Sequence, residues 1–477
     1  MAQTLAAFIL SLAFPVTVLA QDTPTEREAA GDVLKKMAAL EQSLDVPSLV
    51  TRMTGPNAAR DQVVARAREL MEKELLTLAD DIATHPEIGF EEKRSVGKLI
   101  DYLRQHNFSI ETGTAGLSTA FVAKFKQNNG SPVLGVILEY DALRGTKGAF
   151  HGDQHSAQGP VGMAAAIAMA EYLARTKSPG SVIVYGTPGE EMMPPAAKTE
   201  MHKVKAFDGA DVIVRSHASS ATSRPAPGFG TCCLNIVGTK YTFSGAPTHQ
   251  MTPWNGRNAL TAMNLLFANI DAVRPTIRPE ARIQGYIMEG GTAPNVVPDR
   301  TVADFYIRYP DEVYLAQVVE FVDNAAKAAA LATGTKVKID HYSHLVDGVS
   351  LATLGDLGFA YMKGFGATGV AETPGKPQGF EETGSVSRDI PGIGISAQTS
   401  TFSNHTYEMD ADNLKEVGHK GFTVDAQTMA AVLFDFATHA DYRAAVKREF
   451  DGIKALFGEY QGALKKVYTV PTVADPK

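Results

Sequence analysis

Three short runs do most to limit what this chain can fold into. They are Pro132-Val133-Leu134-Gly135-Val136-Ile137-Leu138, Ser181-Val182-Ile183-Val184-Tyr185 and Asp211-Val212-Ile213-Val214-Arg215. Each is apolar along most of its length and rich in β-branched residues, the pattern of a strand buried on both faces. A stretch with helix character, running to Ala174, separates the first two. Strands alternating with helices argue for a mostly parallel sheet with helices on both faces. Further strands are expected at Thr119 to Lys126 and Gly392 to Ala397. Upstream, Val64, Ala67, Leu70, Met71, Leu75, Leu78, Ala79 and Ile82 recur at helical spacing, and Pro86 ends that helix. Other helices are expected at Ser95 to Gln105, Gly355 to Gly364, Val424 to His439 and Tyr442 to Phe457.

At about Thr231 the rhythm changes. Strands at Cys233 to Phe243, Arg282 to Met288, Thr301 to Tyr309 and Lys336 to His341 enclose helices at Asn255 to Val273 and Asp311 to Ala332. The order β-α-β-β-α-β is that of a ferredoxin-like sandwich. The first rhythm then resumes, so the α+β unit is inserted in the larger one. A chain of 477 residues is too long for one compact core. The expected division is a catalytic body at 61–230 and 346–465, an inserted unit at 231–345, and an N-terminal extension at 21–60.

Residues Met1 to Ala20 carry no charged side chain and end in Val18-Leu19-Ala20, as a cleaved export signal would. The expected location is therefore periplasmic or secreted, with no stable membrane association after cleavage. The net charge of −8, without a long basic run, argues against nucleic acid as the main partner. The only two cysteines, Cys232 and Cys233, are adjacent, which excludes a disulfide framework.

In parallel sheets ligands bind beyond the carboxyl ends of the strands. Asp141, Asp153, His155, Glu190, Glu191 and His217 all fall at such ends. Taken singly, each has a plain reading: a polar loop for Asp153 and His155, an exposed acidic pair for Glu190 and Glu191, a core histidine for His217, a surface histidine for His405. Taken together, Asp153, His155, Glu191, His217 and His405 form an oxygen/nitrogen set able to hold two divalent ions, one carboxylate bridging. In an extended backbone Glu190 and Glu191 would point opposite ways, one towards metal and one towards substrate.

Several motifs bear on the same point. The chain has Tyr140-Asp141-Ala142-Leu143-Arg144-Gly145, His151-Gly152-Asp153-Gln154-His155-Ser156 and Thr187-Pro188-Gly189-Glu190-Glu191. It has Pro253-Trp254-Asn255-Gly256-Arg257-Asn258-Ala259-Leu260 and Gly290-Gly291-Thr292-Ala293-Pro294-Asn295-Val296-Val297-Pro298-Asp299. In this it resembles the metal-dependent aminoacylases, exopeptidases and N-acyl amino acid amidohydrolases, especially the aminobenzoyl-glutamate hydrolases and related dipeptidases. Those carry YDALPG, HACGHN, TPAEE, PWEGRNAL and GGAAPNIIPD. The likeness spans about residues 65 to 440.

The resemblance implies a hydrolase acting on the amide bond of an N-acyl or aroyl amino acid or a small dipeptide. A same-fold dipeptidase, carboxypeptidase or carbamoyl hydrolase is the enzyme rival, and an exported solute- or metal-binding protein the other. It implies Glu190 as general base and then acid, and Asp153, His155, Glu191, His217 and His405 as ligands of two ions, zinc or manganese, with cobalt possible. The inserted unit becomes a lid and dimerisation domain. Its His249 would cross to a partner's site and steady the oxyanion, and Asn295 would contact substrate. Arg308 is either a partner for a substrate carboxylate or a surface residue of an edge strand. Trp254 is expected to pack the lid. Asp153 stands where the CGHN branch has cysteine, which tilts preference towards oxygen-loving ions. A homodimer or higher oligomer is expected.

Overall fold

The computed structural model describes residues 24–231, 234–470 and 473. The expected export signal and the two cysteines lie outside the described residues. No helix among the described residues is long and apolar enough to cross a membrane.

The body is built on a six-stranded sheet in the order Ser109–Thr112, Phe121–Gln127, Gly180–Gly186, Val133–Leu138, Val212–Ser216, Gly392–Ile395. The last four run parallel to one another. The first two are antiparallel additions at one edge. The three founding runs lie in the middle because their apolar residues must be covered on both faces. Leu134, Val136, Leu138, Val182, Val184, Val212 and Val214 are all buried. The expected α/β class with a mostly parallel sheet is thus what the chain adopts.

Between Val133–Leu138 and Gly180–Gly186 runs the helix His155–Thr176, buried from His155 to Ala170. It is covered by the sheet on one side and by the helices Ala58–Leu70 and Glu416–Thr438 on the other. Its alanine-rich face permits close approach. At Gly162 a β-carbon would stand 2.3 Å from a Leu138 methyl, so only glycine lets helix and strand meet there.

The helix expected over 61–82 runs from Ala58 to Ala83 with one wide turn at Met71–Leu75. The extra residue in that turn brings Leu70, Met71 and Leu75 together onto the core, all fully buried. The helices Pro24–Leu44 and Val46–Met53 pack on the body, the first along the final helix Ala440–Val467.

The inserted α+β unit has an antiparallel sheet in the order Arg282–Glu289, Arg300–Tyr309, Asn235–Ser244, Lys336–Leu345. The helices Ala259–Val273 and Glu312–Thr333 pack on one face. Phe243, Phe305 and Ile307 point into that layer and are buried. Asp304, Tyr306 and Arg308 alternate onto the other face, as the pleat requires. Arg282–Glu289 is an edge strand, with Tyr286, Ile287 and Met288 exposed.

Candidate active site

Beyond Leu138 the chain continues through Glu139, Tyr140 and Asp141, all buried. Asp141 divides its carboxylate between two neighbours. Oδ1 lies 2.8 Å from His155 Nδ1, and Oδ2 accepts the Glu191 backbone N–H at 2.9 Å. One carboxylate thereby fixes the His155 ring and ties the Glu190–Glu191 turn to it. With Nδ1 engaged, Nε2 of His155 is left to face the cluster, as outer partners of a metal histidine arrange. His217 directly follows the strand Val212–Ser216, its ring edge-on to His155 with centroids 5.6 Å apart. Its Nδ1 lies 3.1 Å from the Ala218 carbonyl. His405 has φ 64° and donates its backbone N–H to Gly152 O at 3.1 Å. That places Nε2 2.9 Å from Asp153 Oδ2 and 3.5 Å from Glu191 Oε2.

Three overlapping groups result: Asp153, Glu191 and His405; His155, Glu190 and Glu191; and Glu139, His155 and His217. Within each, one donor atom per residue lies within 4.8 Å of the others. The five candidate ligands and Glu190, spread over 253 positions from Asp153 to His405 counted inclusively, are gathered at the carboxyl end of the sheet.

Two expectations need correction. Glu190 and Glu191 lie in a turn, not an extended segment. Gly189, with φ 62°, bends the chain immediately before them, so both carboxylates converge near His155 and do not point apart. Trp254 does not pack the lid of its own protomer. It sits on the short turn Pro253–Asn255 and is 73% exposed.

The lid residues are placed differently. His249 is exposed and forms a backbone bridge with Val296. Gln250 N–H donates to Asn295 O at 3.1 Å, so the two lid loops are zipped to each other. His249 Nδ1 accepts the Met251 N–H at 3.1 Å. Arg308 lies on the helix-free sheet face, its guanidinium 5.5 Å from the Tyr306 ring centre. His249 belongs to none of the groups of ligand-type side chains found among the described residues.

Sequence reasoning missed the charged layer beneath the cluster. Glu139 is fully buried between Lys198, at 2.6 Å, and Arg215, at 2.8 Å. Lys198 Nζ also reaches Glu382 at 2.6 Å. Arg215 sits two positions before His217, at the end of a run otherwise apolar, which was a readable signal. Lys198 and Glu382 carried none, since their meeting depends on a contact between residues 184 positions apart.

The electrostatics show a site with more carboxylate than it can hold ionised alone. Burial, reinforced by Glu382, raises Glu190; burial, reinforced by Glu190, raises Glu191. Asp153 goes the other way. Burial opposes its charge, but the His405 hydrogen bond and the His217 and His155 rings hold it well below the usual carboxylate range. Burial resists protonation of His155, yet Asp141 and Glu139 hold it well above its usual value. Burial and Arg215 push His217 down to about 4. A divalent cation would relieve this imbalance. The donors fit one: Asp153 Oδ1 and Glu191 Oε1 are buried without a hydrogen-bond partner, and a mixed carboxylate–imidazole set suits zinc or manganese.

The sheet body, the carboxylate–imidazole cluster at its strand ends and the inserted sandwich define a class of two-unit α/β protein with a candidate metal site at its sheet edge. Comparison with known proteins narrows it. A model of the peptidase dimerisation domain of the M20 family matches residues 234–333. The chain is 31% identical over 337 residues to a Xaa-Arg dipeptidase of Mus musculus, covering 66% of this chain and 74% of that one. It is 32% identical over 277 residues to one of the subunits of the p-aminobenzoyl-glutamate hydrolase of Escherichia coli (strain K12), covering 55% of this chain and 56% of that one. The chain thus spans little more than half the length of that bacterial relative. An aminobenzoyl-glutamate utilization protein from Klebsiella pneumoniae has the same fold, with a TM-score of 0.60 at 17% identity over 80% of this chain and 99% of that one. So does a dinuclear metal binding peptidase of the M20 family from Bacillus subtilis, with a TM-score of 0.54 at 17% identity over 76% and 98%. The chain belongs to the M20 peptidase family.

Proposed function

We propose that this protein is a metal-dependent amidohydrolase that cleaves the amide bond of an N-acyl or aroyl amino acid or a small dipeptide. The observation that carries the reading is the convergence of Asp153, His155, Glu191, His217 and His405 around buried, unpartnered carboxylate oxygens, with Glu190 in the same turn. The names of the relatives, an aminobenzoyl-glutamate hydrolase and Xaa-Arg dipeptidases, support the bond type.

Asp153, His155, Glu191, His217 and His405 would hold two divalent ions, zinc or manganese. When bound, these would polarise the substrate carbonyl and lower the pKa of a water molecule. Glu190 takes the proton of the attacking water and returns it to the departing amine nitrogen. The carboxyl, half-buried and near Glu382, is held above the usual carboxylate range, which keeps the protonated form accessible for the second step. Asp141 keeps His155 and the turn in register throughout. From the lid, His249 steadies the developing oxyanion, Asn295 contacts substrate and Arg308 pairs with a substrate carboxylate.

The protein works as a homodimer through the dimerisation domain, with the exposed edge strand Arg282–Glu289 as part of the contact. The uncharged apolar stretch Met1 to Ala20 supports export. The test is release of free amine from a panel of N-acyl amino acids, aminobenzoyl-glutamate and dipeptides, with and without chelator. Release that stops with chelator and returns with zinc or manganese is expected. Release indifferent to chelator would sink the metal-dependent reading.

A further inference from the structure

Glu92 is a fully buried carboxyl that the proposed chemistry does not use. It precedes the helix Lys93–Gln105 but caps nothing there through its side chain. Instead it reaches away from the helix. Oε1 accepts the Gly189 backbone N–H at 2.8 Å, and Oε2 accepts the Thr119 hydroxyl at 2.9 Å. Gly189 is the residue immediately before Glu190. A buried carboxyl is costly to retain without a task, and here one of its oxygens is spent on the backbone of the turn that carries both acidic site residues.

The segment around Glu92 is shaped to the same turn. Phe90 has φ 67°, a backbone conformation that a bulky residue rarely adopts. It lays its ring against Gly189, where a β-carbon would stand 2.4 Å from the ring. Gly89 is pressed on the other side of the turn: a β-carbon there would stand 2.6 Å from Met192 Cβ and 2.8 Å from Gly189 Cα. The same segment grips a second site loop. Glu87 O accepts the Ala142 N–H at 2.8 Å, next to Asp141, and Ile88 bridges to Ala142. Strain held at a site by over-determined packing points to a positional role.

We propose that Glu92 is a positioning residue: with Gly89 and Phe90 it clamps the Gly189–Met192 turn and so fixes where Glu190 and Glu191 stand relative to Asp141 and His155. Its kinetic consequence rests on the hydrolase reading above. Its geometric consequence does not. Burial pushes the carboxyl up to about 7, so an uncharged amide is a reasonable stand-in at this place. In a Glu92→Gln variant the amide oxygen could accept from Gly189, and the Thr119 hydroxyl could turn to accept from the amide NH₂.

The experiment compares wild type, Glu92→Ala and Glu92→Gln, each full length and loaded with Co²⁺. Visible absorption reads the environment of the ion, and kcat and KM are measured per bound metal on the best substrate of the panel. Glu92→Ala is expected to lower kcat by about tenfold or more with KM within about threefold, because a misplaced base costs turnover more than binding. The Co²⁺ bands are expected to shift, since Glu191 rides on the same turn. Glu92→Gln is expected to restore both. If Glu92→Ala does not fold, Glu92→Asp, which withdraws the carboxyl from Gly189, is expected to show the same two changes. A folded Ala or Asp variant that melts lower but keeps wild-type kcat per metal and wild-type Co²⁺ bands overturns the proposal. Absence of turnover by wild type on every substrate sinks the hydrolase reading alone, and the Co²⁺ spectra still decide the clamp.

Discussion

The ligand cluster and the lid loops are built on opposite terms. In the cluster, several positions are tied to the body from outside the ligand set. Asp141 holds both His155 and the Glu191 amide, Gly152 holds the His405 backbone, and Lys198 and Arg215 pin Glu139 from two sides. The loops that carry His249 and Asn295 are zipped to each other through Gln250 N–H to Asn295 O and Val297 N–H to Thr248 O, and to the start of the helix Ala259–Val273 through Ala259 N–H to Pro298 O. They leave Met251 76% exposed beside His249 and Trp254. The contrast separates two tasks. One fold can gather a cluster of candidate ligands by itself, whereas exposed loops of the inserted unit are free to be covered by closure or by a second protomer.

The largest expected effect breaks the chemistry and spares the cluster. Glu190→Gln keeps the size of the side chain but cannot shuttle a proton. Turnover should fall by about 10²–10⁴-fold while metal content, measured by elemental analysis, stays at the wild-type level. Wild-type turnover in a metal-replete variant of this kind would remove Glu190 from the role of base.

Next comes the cluster itself. Asp153→Ala removes the only residue that both neighbours His405 and offers a buried, unpartnered oxygen among the His151-to-His155 run. Metal affinity should drop by more than the roughly 10–100-fold typical of losing an outer partner, seen as reduced occupancy after dialysis. Two ions retained per chain would show that Asp153 is not a ligand.

The contrast between regions also marks what was legible in the sequence. Val133–Leu138, Gly180–Gly186 and Val212–Ser216 were readable because β-branched apolar runs have one cheap way to be buried. The gathering of Asp153, His155, Glu191 and His217 followed from strand ends sharing one edge of a parallel sheet. Ser109–Thr112 was not readable: Ser-Ile-Glu-Thr is short and mostly polar, and it pairs at the sheet edge where water meets it. The strand Lys336–Leu345 runs past the expected end at His341, with an irregularity opposite Gly238 and Thr239 that disturbs its alternation. The Lys198–Glu382 pair and the reach of Glu92 to Gly189 depend on tertiary proximity, which local pattern does not encode. Which protomer's site His249 serves depends on how the inserted unit meets a second chain, and local pattern does not encode that either.

That question has a direct test. His249→Ala should cost about 10²-fold in turnover if the ring steadies an oxyanion. Mixing His249→Ala with Glu190→Gln under subunit exchange should restore up to about a quarter of wild-type activity if each site draws the two residues from different chains. Exchange shown independently, with no recovery, would place His249 in its own protomer's site or outside catalysis.

The smallest effect concerns Trp254, and it sharpens the comparison most. In the protomer Trp254 is 73% exposed, so Trp254→Ala should change the stability of dilute protein by little, within the roughly ±0.5 kcal/mol usual for surface substitutions. A tryptophan beside Met251 on an otherwise polar loop is nonetheless a typical interface anchor, and truncating such an anchor costs about 2 kcal/mol or more when it is buried by a partner. Sedimentation should therefore show protomer association weakened by about tenfold or more in the variant if the partner covers this loop. If instead the lid closes over the body of its own protomer, association stays as in wild type and KM rises, because the ring is then buried only with substrate present. No change in association, KM or kcat would mean that the loop stays in water throughout the cycle, and the division between a self-sufficient cluster and a lid awaiting cover would fail at this residue.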